Sequence, residues 1–147
     1  MRLQCTTLPF GAIDASTVYW SPFFSEEHSP YGTYHSEGWY QYEYDNVHVC
    51  HSYQGQPGFV TGIRCSGSNC DNISIQCGQA FVRYRNFFSY PVKVQNCAWS
   101  DWYSEEQGPA NFGIRWITGV ECSGSKCDNK RYYVCQPVNT MPILTGF

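Results

Sequence analysis

A fourteen-residue block occurs twice in this chain, and the duplication limits its fold more than any other feature. Residues 59–72 read FVTGIRCSGSNCDN and residues 116–129 read WITGVECSGSKCDN, at a constant offset of 57. A second matched pair lies upstream, WSPFFSEE at residues 20–27 and WSDWYSEE at residues 99–106, at an offset of 79. The first copy therefore holds 22 more residues between its SEE and TG blocks. Such self-similarity marks a chain built from one supersecondary unit used twice. Copy one runs over residues 19–77 and copy two over residues 97–135, joined by residues 78–96. That connector, GQAFVRYRNFFSYPVKVQN, is rich in aromatic and β-branched residues, so strands are expected in it rather than a flexible linker.

The blocks are spaced by cysteine. Nine cysteines in 147 residues point to an oxidising, extracytoplasmic compartment. Cys65 and Cys70 enclose SGSN, and Cys122 and Cys127 enclose SGSK, which suits a local bridge across a tight turn. Cys97–Cys135 and Cys50–Cys77 then close the copies and leave Cys5 over; Cys5–Cys77 with Cys50 free is the rival, and spacing alone does not choose. The odd cysteine is either a free thiol or a bridge between subunits. Zinc on the paired C-x₄-C loops is disfavoured by the oxidising compartment.

Aromatics make up 18% of the chain and charged residues 14%, with few strong helix formers, so short strands and long loops are expected. Period-two alternation agrees: Tyr40, Tyr42 and Tyr44, then Val47 and Val49, Ile73 and Ile75, Val92 and Val94. The expected fold is all-β and sandwich-like with little helix. It is a single domain over residues 1–147, made of two disulfide-stapled copies related by approximate internal two-fold symmetry. A net charge of −3 argues against nucleic acid as a partner, and no apolar run is long enough for a membrane span. The first ten residues lack the apolar centre of a leader, so a leader removed ahead of Met1 is expected for a secreted protein.

Both copies retain adjacent carboxylates, Glu26-Glu27 and Glu105-Glu106, and an Asp-Asn pair after a cysteine, Asp71-Asn72 and Asp128-Asn129. These are the oxygen donors a hard cation such as Ca²⁺ takes. The alternative is scaffolding, with Glu capping backbone N–H groups and Asp-Asn forming Asx turns. His28, His35, His48 and His51 cluster in or beside the longer part of copy one, as a metal site or as scattered surface histidines. The same stretch, residues 29–50, holds Trp39, Gln41, Glu43 and Asp45. An aromatic face with amide and carboxylate neighbours suits a sugar, while Tyr40, Tyr42 and Tyr44 suit the core. Asn72-Ile73-Ser74 is a glycosylation sequon whose counterpart, Asn129-Lys130-Arg131, is not. No nucleophile elbow, zinc-protease helix or phosphate loop is present, and a non-enzymatic role is expected.

The WSxxxSEE and TGxxCSGSxCDN blocks resemble a cysteine-rich repeat of secreted cnidarian and bacterial proteins, and the chain is similar in size and style to a sea-anemone galactose-binding lectin. That resemblance implies a homodimer that recognises terminal galactose through calcium. The expected function is therefore calcium-assisted binding of galactose-type sugars on glycoprotein or glycolipid glycans. The other function classes are an extracellular structural or protein-interaction module without a small ligand, and a secreted toxin or inhibitor.

Overall fold

The computed structural model describes residues 10–25, 34–35, 38–39, 46–67, 70–84, 88–104, 112–123 and 127–138. In chain order the strands are β1 (Ala12–Ile13), β2 (Tyr19–Trp20), β3 (Tyr34–His35), β4 (Gly38–Trp39), β5 (Val47–Val49), β6 (Ser52–Tyr53), β7 (Gln56–Pro57), β8 (Phe59–Ser66), β9 (Asn72–Gly78), β10 (Ala80–Tyr84), β11 (Phe88–Pro91), β12 (Lys93–Trp99), β13 (Tyr103–Ser104), β14 (Trp116–Ser123) and β15 (Asn129–Val138). Among the described residues the helical content is one 3-10 turn, Ala15–Thr17, capped by Asp14, whose carboxylate accepts the Ser16 N–H. The all-β expectation holds, and the connector forms β10, β11 and the start of β12.

Every pairing among the described residues is antiparallel. The sheet orders are β2-β9-β8, β12-β15-β14-β5 with β13 also on β15, and β1-β10-β11; β3-β4 and β6-β7 are two-stranded.

The duplicated blocks become two hairpins, β8–β9 and β14–β15, with the same register. Val60 faces Cys77 as Ile117 faces Val134, and Ile63 faces Ile75 as Val120 faces Tyr132. Both first strands bulge at the same threonine, between Val60 and Gly62 and between Ile117 and Gly119. The Thr-Gly pair of the motif has a cause in each half. The bulged residue would leave a partner carbonyl without its ladder bond, and the threonine hydroxyl supplies a donor: Thr61 Oγ1 lies 3.4 Å from the Gln76 carbonyl and Thr118 Oγ1 3.1 Å from that of Tyr133. The glycine admits a neighbour. A Cβ on Gly119 would stand 2.9 Å from the Val49 side chain and 3.0 Å from the His48 carbonyl, so glycine is what lets β5 pair with β14.

The upstream WS blocks dock on the hairpins in the same way. Trp20 pairs with Gln76 and Trp99 with Tyr133. Ser21 N–H donates to the Ile75 carbonyl and Ser100 N–H to that of Tyr132, both at 2.8 Å. The serine hydroxyls accept the return bonds, Ile75 N–H at 3.0 Å and Tyr132 N–H at 2.9 Å. Serine is thus required by the motif because its N–H and hydroxyl carry the backbone ladder one residue past the ends of β2 and β12.

One core takes residues from both copies: Phe24, Ile73, Ile75 and Cys77 with Val120, Cys122, Tyr132 and Val134. A second cluster gathers Phe59, Ala80 and Val92 under Trp116. The disulfides are Cys50–Cys77, Cys65–Cys70, Cys97–Cys135 and Cys122–Cys127. They follow the first of the two pairings weighed from spacing, and Cys5 lies outside the described residues. The bridges at the ends of the two hairpins are not equivalent, however. The shared register sets Cys77 against Val134, so Cys135 is one residue further along and alternation sends its side chain to the other face of its strand.

Candidate functional site

A cavity of about 180 Å³ opens where β2, β6 and the end of β9 meet. Tyr19 reaches it because β2 pairs with β9 at Cys77. The His51 ring stacks on Tyr19 with centroids 4.5 Å apart and planes 15° from parallel. Tyr53, nearly half exposed, stands at the rim and packs edge-on against Phe81 at 5.5 Å. Gln79 lies within the wall, 7% exposed. Its amide nitrogen donates to the His51 carbonyl at 2.6 Å, and its backbone N–H donates to Thr17 Oγ1 at 2.9 Å. Gly58 makes that reach feasible, since a Cβ there would meet the Gln79 amide nitrogen at 3.2 Å.

Two features of this cavity are chemically distinctive. The Gln79 Oε1 is buried and accepts no hydrogen bond among the described residues. Leaving such an acceptor dry costs about 1–3 kcal/mol. Beside it, the Tyr19 hydroxyl accepts the His51 backbone N–H at 2.9 Å and lies 3.0 Å from His48 Nε2. With its own proton directed at His48, the hydroxyl matches a neutral imidazole that accepts at Nε2. Burial, with the neighbouring His51 adding repulsion, pushes the His48 pKa down to about 4. Burial also raises the Tyr19 pKa, so the phenol keeps its proton.

This histidine gives the fold a pH dependence whose sign is fixed. The folded chain holds the His48 proton less readily than the unfolded chain, whose value is near 6.5. Its contribution to stability is complete above the unfolded value and is lost as pH falls toward the folded one. The ring is not wholly removed from water, so the loss is set at about 1–2 kcal/mol, below the full linkage value. Melting temperature measured from neutral pH down to pH ~4 should fall in wild type and fall less in His48→Gln, which cannot titrate.

The residues expected from sequence to hold a cation are placed unevenly. Asp71 and Asn72 lie together after Cys70, and Asp128 and Asn129 after Cys127. In each copy the Asn amide donates to the Asp carboxylate, at 3.1 and 3.2 Å. Each pair follows a cysteine with positive φ, 59° and 54°, a backbone state that costs energy in a residue with a Cβ and marks a tightly specified turn. Among the described residues no group of three or more His, Cys, Asp or Glu is placed to share a metal ion. Glu26, Glu27, Glu105, Glu106, Gln41, Glu43 and Asp45 lie outside the described residues. Trp39 ends β4 opposite Tyr34. His48 and His51 are brought together, with ring centroids 5.6 Å apart, but around Tyr19.

Sequence reasoning missed Tyr19, Tyr53 and Gln79. The histidine cluster pointed near the site, whereas Gln79 carried no motif and meets Thr17 and His51 only through long-range pairing. No family model, curated protein or solved structure matches the chain. Its class is therefore defined by the fold: a disulfide-stapled all-β protein of two register-matched hairpins. No described helix is long and apolar enough to cross a membrane.

Proposed function

We propose that this protein is a secreted carbohydrate-binding protein whose sugar site is the Tyr19–His51–Gln79 cavity. The observation that carries the proposal is one cavity lined by the stacked Tyr19 and His51 rings, by Tyr53 and by the Gln79 amide, whose Oε1 has no partner among the described residues. Sugars present hydroxyls on one rim and apolar C–H faces on the other. A fixed amide acceptor with aromatic rings meets both. The cavity has room for one ring, which fits a terminal residue of a glycoprotein or glycolipid glycan, and galactose-type sugars remain the class to test first. Single shallow sites bind weakly, so a homodimer with both cavities facing one glycan surface would gain by avidity.

The test is calorimetric titration with galactose and glucose on wild type and Gln79→Met. Methionine keeps the length of the side chain and removes the acceptor. A drop in galactose affinity of about tenfold or more is expected, equivalent to at least ~1.4 kcal/mol, with the melting temperature monitored in parallel. Unchanged affinity in a folded variant would remove the cavity from consideration. Repeating the titration with a calcium chelator separates the mechanisms. Binding that persists rests on the cavity alone, and binding that disappears returns the calcium to the Asp and Glu set, Asp71 and Asp128 first.

A further inference from the structure

The two copies place an equivalent aromatic pair under a guanidinium, but they differ in what faces the charge. In copy two, Arg131 lies 4.8 Å from the centroid of Trp99 and 5.0 Å from that of Trp102, and its Nε donates to Glu121 at 2.5 Å. In copy one, Arg64 lies 4.3 Å from the centroid of Trp20 and 5.2 Å from that of Phe23. The motif equates Trp20 with Trp99 and Phe23 with Trp102, yet the arginines come from opposite strands of their hairpins. Arg64 occupies the register position of Glu121, facing Ser74, while Arg131 occupies the position of Ser74. Ser74 is buried and donates to the Ser21 carbonyl. Among the described residues, copy one thus has the cation without a facing carboxylate, and Arg64 makes no ion pair.

We propose that the Arg64–Trp20–Phe23 face is a binding site for acidic glycans, in which Arg64 takes a carboxylate or sulfate and an exposed ring takes the sugar face. Trp20 is 38% exposed and Phe23 41%. Arg64 is itself exposed beside these rings, and a guanidinium over an aromatic face keeps its N–H donors for a planar oxyanion. A sugar bearing such a group offers an apolar ring face and a charge side by side. Gly62 keeps the platform close to the sheet: a Cβ there would lie 3.5 Å from the Trp20 ring and 3.1 Å from the Gln76 amide oxygen. At the equivalent face of copy two the Glu121 carboxylate already pairs with Arg131, which weakens that face as a site for an external anion. This inference is independent of the cavity proposed above.

The experiment uses the whole oxidised chain and three probes, namely an oligogalacturonate, its methyl ester and a heparin-derived tetrasaccharide, with affinity read by titration. Arg64→Gln is expected to weaken binding by about tenfold or more, the scale of a lost charge-assisted hydrogen bond. Arg131→Gln should leave it unchanged. Glu121→Gln should add a second site by unmasking Arg131, a gain of function that no folding defect produces. Gln79→Met should have no effect on these probes, which separates this site from the cavity. Binding of the galacturonate but not the tetrasaccharide assigns a uronate, and the reverse assigns a sulfate. The proposal is overturned if the methyl ester binds as well as the free acid, if neither acidic probe binds, or if Arg131→Gln loses as much as Arg64→Gln.

Discussion

Replacing Cys97 and Cys135 together by alanine should lower the unfolding free energy by about 4 kcal/mol, roughly twice the cost of the same change at Cys65 and Cys70. A bridge acts mainly by removing conformations from the unfolded chain, and the removal grows with the loop it closes. Cys97–Cys135 spans a separation of 38 and ties β12 to β15, whereas Cys65–Cys70 spans 5 within one turn. Burial acts in the same direction. Cys135 is fully buried, so its truncation also leaves a void in the packing, while Cys65 and Cys70 are exposed. Cys50–Cys77, with a separation of 27, should fall near Cys97–Cys135. Urea unfolding of the three double variants, with the slopes compared to confirm that the unfolded states are alike, reads these differences directly. Equal costs across the three would contradict the loop-length account and place the stabilisation in the folded state.

Much of this scaffold was legible in the sequence because the duplicated blocks carry their own register. A constant offset means that whatever pairs in one hairpin pairs in the other, and Cys65 with Cys70 and Cys122 with Cys127 mark the turn of each. The aromatic and β-branched connector likewise announced β10 and β11. Legibility ended where a one-residue shift reverses a strand face. Cys77 and Cys135 both close a strand after a copied block, yet they differ by 58 rather than 57, and that extra residue turns two seemingly matched bridges to opposite faces. Asp71-Asn72 and Asp128-Asn129 illustrate a different limit. Their residue types suit a cation and an Asx turn equally, and only the side-chain geometry shows the amide bonded to the carboxylate beside it. The cavity was hidden for a third reason. Tyr19, His51 and Gln79 are brought together by the β2–β9 pairing and by the approach of Gly58, neither of which leaves a local pattern.

Ile75→Ala should cost about 3–4 kcal/mol, at the upper part of the range for burying-to-void changes of this size. Ile75 is wholly buried, and the cluster around it combines both copies with Cys50–Cys77. A cavity in such a place relaxes poorly, because its walls are fixed by the bridge and by the ladder on either side of β9. The backbone at this residue is held separately, since its N–H donates to the buried Ser21 Oγ. Ser21→Ala should therefore cost about 1–3 kcal/mol through the unpaired N–H and the lost donor to the Pro22 carbonyl, with no hydrophobic loss. The two changes share one residue, so their double variant should depart from additivity, unlike a pair far apart. Ile114→Ala serves as the control: Ile114 is 68% exposed, and its truncation should stay within ~0.5 kcal/mol of wild type. Denaturant unfolding of the four variants decides the matter. A cost at Ile75 no larger than at Ile114 would mean that the two hairpins do not share the core described above, and that each copy is stabilised by its bridges instead.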